Sequence, residues 1–374
     1  MIYIILSYLL SPVIYLLIAI KGKRKINARI LVIQTAKIGD LICSTPVFRE
    51  VKRKFPDARL TVMVNPITEE LLKHNPHVDE ILTIKQTDYK GFSGKLRLSD
   101  LIRREKYDIA ISLNPNVPFA LALFWGLVPV RISVMPDFAG ITFKSASLFF
   151  TCLEKHISGT LVIETYMKML NAIGIKSNNI SKEVYKSGNA DRKAEQLLGD
   201  MDKPLIGIAV SSGNKLKELG SEKIAELANM LLDNMDINIT FIGSAQERGT
   251  AAAILKSIRK NDRIIDATGR LSLTELPALI ERLTLFIGVD TGITYMADAV
   301  KVPIIHIAGP IDVSEQRPVE KNIRIIRHKL SCVPCTYVFK AAYECKYGHR
   351  KCVNEVSMDE VFNCIRSSLK NACN

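Results

Sequence analysis

The segment Asp290-Thr291-Gly292 follows the apolar β-branched run at residues 285–289 and precedes a stretch with helical character. A strand that opens through a small-residue turn into a helix presents free backbone N–H groups and the positive end of the helix dipole. Both features favour a phosphate or diphosphate group. We therefore expect Thr291 and Gly292 to contact phosphate, while Asp290 either orders the turn or bonds a hydroxyl of the same ligand.

A second aspartate, Asp40, ends the loop Gln34-Thr-Ala-Lys37-Ile-Gly39-Asp40 behind the apolar run at residues 29–33. Gly39 permits a backbone turn that a Cβ would obstruct. Ligands bind beyond the carboxyl ends of parallel strands, so the loop from Lys37 to Asp40 is expected at the mouth of a cleft. The alternative is that Asp40 only caps the helix that follows, as aspartate after a turn often does.

The elements that must position these segments form two series of short apolar runs separated by longer amphipathic stretches. This alternation predicts an α/β fold in which parallel sheets are covered by helices. Two doubly wound sheets of this kind would bind ligands in a cleft between the domains. The predicted strands are residues 29–33, 59–64, 80–84, 108–113 and 131–134 in the first series and 204–210, 237–242, 285–289 and 303–307 in the second.

The charge balance limits the partners. The chain of 374 residues carries 51 Lys and Arg against 38 Asp and Glu, and its formal net charge of +13 suits an acidic lipid or a phosphorylated sugar. With one Trp and no recognisable helix-turn-helix or zinc-finger spacing, nucleic acid is not expected as a partner. A nicotinamide-dependent oxidoreductase is disfavoured because no G-x-G-x-x-G segment follows either first strand.

The N-terminus is apolar enough to enter a membrane. Residues 1–20 carry no charged side chain, and as a helix they would extend about 30 Å, one hydrocarbon thickness. Four basic residues follow within residues 21–25, and the positive-inside tendency would keep them in the cytoplasm. Because Pro12 can kink the helix, an interfacial or re-entrant anchor is the alternative to a full span.

The segments around the two aspartates resemble those of the ADP-heptose:lipopolysaccharide heptosyltransferases, glycosyltransferase family 9. In that family a strand runs into a turn ending Ile-Gly-Asp, followed by an apolar pair and Thr-Pro, as residues 34–46 do here. The second signature is a strand, an Asp-Ser/Thr-Gly turn, a helix and a Gly-Pro-x-Asp ending, which residues 286–312 match. Family members commonly have His where this chain has Tyr295, which does not titrate near neutral pH.

The resemblance implies a GT-B architecture, with two Rossmann-like doubly wound domains, a cleft between them and an N-terminal apolar helix. The acceptor would lie mainly on the first domain and the donor nucleotide on the second, and the final helix would pack toward the first domain. The expected divisions are an anchor and basic collar at 1–25, the acceptor domain at 26–180, a linker at 181–202, the donor domain with a cysteine-rich tail at 203–356, and the C-terminal helix at 357–374.

The resemblance also implies catalytic roles. Asp40 matches the general base, which takes the proton of the acceptor hydroxyl as that oxygen attacks the anomeric carbon and inverts it. Lys217 matches a lysine assigned to the donor phosphates, although Leu219 and Gly220 replace the Trp-Pro of the family. Lys215 lies close enough to compete for this role, and a solvated loop lysine is the alternative for Lys217.

Residues 243–247 look like the Gly-x-x-x-Glu turn that holds the nucleoside in the family. Gly243 and Glu247 are therefore expected at the nucleoside of the donor. The same turn could simply cap a helix.

The implied donor is ADP-L-glycero-D-manno-heptose, and the implied acceptor is a Kdo or heptose of a lipid-linked lipopolysaccharide core. The enzyme would be N-terminally anchored at the cytoplasmic face of the inner membrane and would need no metal for catalysis, since a lysine and a helix dipole replace it. Two alternatives remain: a related enzyme that uses another nucleotide sugar for a cell-surface glycan, and a non-catalytic carbohydrate-binding protein.

Four of the eight cysteines lie close together in the tail, at Cys332, Cys335, Cys345 and Cys352. Their spacing is compatible with a structural zinc site, with His349 as a spare ligand. The alternative is a set of reduced thiols packed in a small core.

Overall fold

The computed structural model describes residues 2–21, 28–200, 202–260 and 262–372. The chain divides into two compact units, Met1–Ile180 and Ser181–Asn374. Each unit contains a six-stranded parallel sheet with helices packed around it. The predicted fold class of two doubly wound α/β units, preceded by an apolar helix, is confirmed.

In the first unit the helices and strands alternate along the chain. They are α1 Ile2–Lys21, β1 Arg29–Ile33, α2 Ile38–Ile42, α3 Thr45–Lys54, β2 Arg59–Val64, β3 Glu80–Thr83, α4 Gly91–Glu105, β4 Ile109–Ser112, α5 Val117–Trp125, β5 Val130–Pro136, α6 Ile141–Ser147, β6 Cys152–His156 and α7 Val162–Met169.

The strands of this sheet lie in the order β3-β2-β1-β4-β5-β6. Strand β1 is central, with Leu31 and Val32 fully buried, because a parallel strand covered on both faces must be a continuous apolar run. Chain order reverses between β1 and β4, which pair with Ile30 opposite Ile109. The loops after these two strands therefore leave in opposite directions and form the crevice where such sheets bind ligands.

The second unit repeats this plan. Its elements are α8 Ala190–Leu198, β7 Leu205–Ala209, α9 Ser221–Asn234, β8 Asn238–Ile242, α10 Arg248–Lys256, β9 Ile264–Asp266, α11 Leu276–Ile280, β10 Leu285–Val289, α12 Gly292–Ala299, β11 Ile304–Ile307, β12 Ile323–Ile326, α13 Lys351–Asn354 and α14 Met358–Ala372. The strand order is β12-β11-β10-β7-β8-β9, so β7 and β10 occupy the positions that β1 and β4 have in the first unit.

The sheets are wider than the sequence predicted. Strands β6, β9 and β12 were not predicted. Strand β6 lies at one edge of the first sheet, and β9 and β12 lie at the two edges of the second sheet. They are short, and β6 carries the polar sequence Cys-Leu-Glu-Lys-His. An edge strand can face water, so its sequence need not show the continuous apolar run that revealed the central strands.

The expected linker at 181–202 has structure of its own and belongs to the second unit. Lys182 and Asp298 form a fully buried ion pair of 2.7 Å, and two backbone N–H groups, of Val319 and Glu320, also donate to the Asp298 carboxylate. Helix α8 packs against α11. The linker boundaries stay a prediction, and the polar composition of this segment did not reveal that Lys182 is buried and paired.

The C-terminal helix α14 packs against α9 and β11 of the second unit. Val361 and Ile365 are fully buried in the core of that unit. Packing of this helix toward the first domain stays a prediction.

Helix α1 is the one helix in the described part of the chain that is long and apolar enough to cross a membrane, judged by length and composition only. Its segment Ile2–Ile20 has a mean hydropathy of 2.2. Most of the basic collar expected after it, at residues 22–25, lies outside the described residues.

Candidate functional site

Asp40 lies in the first turn of the short helix α2, directly beyond the carboxyl end of β1. Its Oδ2 accepts a hydrogen bond of 3.1 Å from the Lys37 backbone N–H, so Asp40 does cap this helix. The carboxylate is half-buried. The cap fixes its orientation at the sheet edge, and the helix-capping and catalytic interpretations are therefore compatible.

Gly39 is buried inside the first turn of α2, and the backbone N–H of Cys43 donates to its carbonyl at 2.9 Å. The helix begins one residue before Gly39, at Ile38. The role of Gly39 in allowing a turn that a Cβ would obstruct stays a prediction.

A network of hydrogen bonds between neutral side chains holds helix α2, which carries Asp40. Gln34 is fully buried and donates to Ser44 Oγ at 2.8 Å, and Ser44 Oγ in turn donates to the Asp40 carbonyl at 2.8 Å. Asn114, in the loop after β4, donates to Gln34 Oε1 at 2.9 Å and accepts from the Thr35 N–H at 2.7 Å. The loops after β1 and β4 are therefore joined at the point where the chain order reverses.

Tyr166 of α7 also belongs to the surroundings of Asp40 and Gln34, and the sequence gave no signal for it. It is buried, and its side chain bonds that of Gln34. Burial, and then the nearby Asp40 carboxylate, holds the pKa of Tyr166 well above its usual range. Tyr166 is therefore a neutral hydroxyl at every working pH.

The candidate site of the second unit is built on charged side chains. Asp290 follows β10 directly, and its Oδ2 pairs with Lys217 Nζ while its Oδ1 accepts from the Tyr295 hydroxyl. Tyr295 is buried in α12 and stands where the family commonly has His. Its contribution is a donated hydrogen bond that holds the carboxylate in place.

Electrostatics keep Asp290 ionised. Burial alone would raise its pKa, but Lys217, His306 and the Tyr295 hydroxyl together outweigh burial, and the pKa of Asp290 lies below its usual value. His306 of β11 is fully buried, and burial lowers its pKa to about 4, so the ring is neutral at neutral pH. The charge at this site is therefore one carboxylate and one ammonium.

The start of α12 is half-exposed. Thr291 precedes the helix in an extended conformation, and in the part of the chain that the structure describes no side chain caps it. Gly292 begins the helix. Thr294 closes the first turn by donating from its Oγ1 to the Val289 carbonyl at 2.6 Å. The Lys217 ammonium lies close to this helix start, because it pairs with Asp290, the residue before Thr291. A cation and a helix N-terminus together favour an anion.

The two candidate lysines differ sharply. The Lys217 side chain is 17% exposed and is held by Asp290. The Lys215 side chain is 82% exposed and pairs with Glu218 at 3.0 Å. Lys217 is thus not a solvated loop lysine. The Lys215 ammonium forms an ion pair with a residue of its own loop.

The loop that carries Lys215 and Lys217 is held by hydrogen bonds to two other segments of the chain. Ser212 Oγ donates to the Asp290 carbonyl at 3.1 Å, and Asn214 donates to the Ala342 carbonyl in the tail at 2.8 Å. Arg350 of the tail also donates to the Glu218 carbonyl. The tail thus contacts the loop that carries Lys217, which the sequence did not predict.

Gly243 and Glu247 lie beyond β8, and the capping interpretation of this turn is seen directly. Glu247 accepts from the Ser244 N–H at 2.5 Å. A Cβ on Gly243 would come within 2.8 Å of Glu247 Oε2 and of Val210, so a glycine is needed for this close approach. Contact with a nucleoside stays a prediction.

The chain matches the model of glycosyltransferase family 9 (heptosyltransferase) over residues 95–344. This match covers more than half of the sequence. The chain belongs to glycosyltransferase family 9. It is therefore a glycosyltransferase with the two-domain Rossmann-like architecture of that family.

Individual members of family 9 are similar over most of their length. Lipopolysaccharide heptosyltransferase 3 of Escherichia coli K12 is 26% identical over 299 residues, which cover 76% of this chain and 83% of that one. The ADP-heptose lps heptosyltransferase II of E. coli superposes with a TM-score of 0.72 at 18% identity, covering 92% of this chain and 100% of that one. A family 9 glycosyl transferase from Veillonella parvula gives 0.74 at 20% identity, covering 94% and 100%.

The four tail cysteines of this family 9 member lie close enough together for their thiols to affect the pKa of Cys352. Burial, and then the thiols of Cys335, Cys332 and Cys345, raises the pKa of Cys352 to about 11. Backbone N–H donors led by that of Arg350 lower the pKa of Cys345. Among the described residues, however, no three His, Cys, Asp or Glu side chains form a group that could hold a metal ion. The side chains as placed do not fit zinc, and a zinc site stays a prediction.

Proposed function

We propose that this enzyme transfers heptose from ADP-L-glycero-D-manno-heptose to a Kdo or heptose of a lipopolysaccharide core, with inversion at the anomeric carbon. The printed names of its relatives support this donor and acceptor class. The observation that carries the proposal is the Lys217–Asp290 ion pair beside the uncapped start of α12. A cation and a helix N-terminus together suit a diphosphate leaving group.

In the donor step, the diphosphate binds the first-turn N–H groups behind Thr291 and Gly292, with the Lys217 ammonium beside it. As the bond between the anomeric carbon and the phosphate oxygen breaks, negative charge accumulates on the departing ADP. Lys217 and the helix dipole stabilise that charge, and Asp290 holds Lys217 in position. The preference for Lys217 over Lys215 rests on the burial and the ion pair described above.

In the acceptor step, Asp40 is the general base. The acceptor oxygen forms its bond to the anomeric carbon from the face opposite ADP, and its proton passes to the Asp40 carboxylate. The proton then leaves to solvent, which regenerates the base. The Lys37 N–H bonds the carboxylate, and the neutral network through Gln34 and Ser44 holds the helix that carries it.

The acceptor is lipid-linked, and the enzyme works at the cytoplasmic face of the inner membrane. The apolar helix α1 and the net charge of +13 support this location, because anionic lipid attracts a basic protein.

The test is to incubate the purified enzyme with a lipid-linked core acceptor and a panel of radiolabelled nucleotide sugars that includes ADP-heptose, with Asp40→Asn as the control. We expect ADP-heptose alone to label the lipid, and Asp40→Asn to transfer none. Labelling from a different nucleotide sugar would favour the related enzyme for another glycan. Failure of every donor, with carbohydrate binding retained, would favour the non-catalytic binding protein.

A further inference from the structure

Helix α1 is attached to the first unit along its whole length. Ile4 is buried in the core of that unit, and Ile14 and Ile18 pack against the same core. Near the first of these contacts, Ser7 is fully buried and accepts a hydrogen bond of 2.9 Å from the indole N–H of Trp125 in α5. The contacts extend from the first turn of α1 to the last, so α1 lies flat on the first unit.

Three hydroxyl groups of α1 bond to the protein. The hydroxyls of Ser7 and Ser11 donate to carbonyls of their own helix at 2.7 Å. The Tyr8 hydroxyl donates to the Ser145 carbonyl of α6 at 2.6 Å. The exposed large side chains of α1 are mostly aliphatic: Ile2, Ile5, Leu6, Leu9, Leu10, Val13, Leu16, Leu17 and Ile20, together with Tyr8 and Tyr15.

The apolar surface continues onto the neighbouring helices. Tyr3 stacks on Phe92 of α4 with ring centroids 5.5 Å apart, which joins α4 to one side of α1. The bond from Tyr8 to Ser145 joins α6 on another side. The exposed apolar residues of these neighbours are Phe92 and Leu96 on α4, and Phe138, Ile141 and Leu148 in and around α6. We call this continuous surface of α1, α4 and α6 the apolar face.

Basic residues border the apolar face. Lys95 lies over the Tyr3 ring, with its Nζ 5.1 Å from the centroid. Lys90, next to α4, and Lys144, on α6, are exposed. A large apolar surface edged by lysines is typical of proteins that lie on anionic membranes, since the lysine stems reach past the apolar zone to the headgroups.

We propose that the apolar face docks on an anionic lipid bilayer and that α1 lies in the plane of that bilayer without crossing it. A crossing helix would have to detach from α5 or draw the sheet-covering helices of the first unit into the hydrocarbon. A second copy of the chain is a poorer occupant, because a two-fold contact would bring the same lysines together. This proposal concerns how the enzyme is held, and it does not depend on the donor or the acceptor.

The test is flotation of the full chain with vesicles of phosphatidylglycerol and phosphatidylethanolamine, compared with vesicles of phosphatidylcholine alone. The informative variants are Leu9→Glu on α1 and Ile141→Glu on α6, at positions 72% and 76% exposed. Ile67→Glu is the matched control, since Ile67 is 71% exposed in the same unit but outside the apolar face. Circular dichroism melting confirms that each variant folds.

We expect the wild type and Ile67→Glu to float with anionic vesicles, and weaker flotation on phosphatidylcholine. Leu9→Glu and Ile141→Glu should each lower the partition coefficient by about tenfold or more, because each places a charge where an exposed apolar side chain would enter the bilayer. Normal binding by Ile141→Glu with loss in Leu9→Glu would mean that α1 binds without α6, and would overturn docking through the apolar face. Unchanged vesicle binding in both variants, or a dimer that Leu9→Glu dissociates without any effect on flotation, would overturn the lipid occupant.

Discussion

Each unit places one aspartate at the point where its sheet reverses chain order, and the surroundings of the two aspartates differ in kind. Asp40 is supported by an amide, hydroxyls and a backbone N–H, through Gln34, Ser44 and Lys37. Asp290 is paired with an ammonium, and its pKa lies below its usual value. In the proposed function Asp40 accepts a proton, and Asp290, which stays ionised, holds the lysine in position. Similar sheets thus carry two different uses of the same residue.

The largest effect is expected at Asp40. Asp40→Asn keeps the shape and the hydrogen bond from the Lys37 N–H but removes the base, so kcat should fall by about 10³ to 10⁴. Single-turnover assays with saturating donor and acceptor measure this directly. Turnover within a few-fold of the wild type would show that another group accepts the proton.

The next effect distinguishes the two lysines. Lys217→Ala removes the cation beside the start of α12, and we expect kcat/KM for the donor to fall by about 10² to 10³. Lys215→Ala is the matched control, because its ammonium is solvated and paired within its own loop, and it should remain within about twofold of the wild type. The reverse pattern would transfer the phosphate role to Lys215.

A smaller and pH-dependent effect is expected at Asp290. Because its folded-state pKa is lowered from the usual 3.8, ionised Asp290 contributes stability that is present above that value and is lost as pH falls through the lower folded pKa. Asp290→Asn should therefore lower Tm at neutral pH, and the difference from the wild type should shrink below about pH 4. Thermal melts from pH 7 to pH 3 measure it. A constant difference at all pH values would mean that the ion pair is not its source.

The smallest effect is expected at Tyr166. Tyr166→Phe removes a neutral hydroxyl that bonds Gln34, and loss of one such hydrogen bond should lower kcat by about threefold to tenfold through misplacement of the Asp40 helix. KM for the donor should not change. A larger loss than in Asp40→Asn would make Tyr166 a participant in the chemistry and not a support.

The sequence singled out the two aspartates and Lys217 because the loops that carry them, each following a central apolar strand, resemble motifs of the family. It could not identify Tyr166 or Asn114, which reach Gln34 from positions 132 and 80 residues along the chain. Such partners depend on which strands become neighbours, and no local pattern encodes that. The buried pairing of Lys182, in the expected linker, with Asp298 was hidden for the same reason.

Calorimetric titration of ADP into the wild type, Asp40→Asn and Lys217→Ala tests most directly whether the first unit carries the base and the second unit binds the diphosphate. We predict that Asp40→Asn binds ADP as the wild type does, and that Lys217→Ala binds it at least about tenfold more weakly. Weakened binding in Asp40→Asn together with normal binding in Lys217→Ala would contradict the assignment of the base to one unit and the diphosphate to the other.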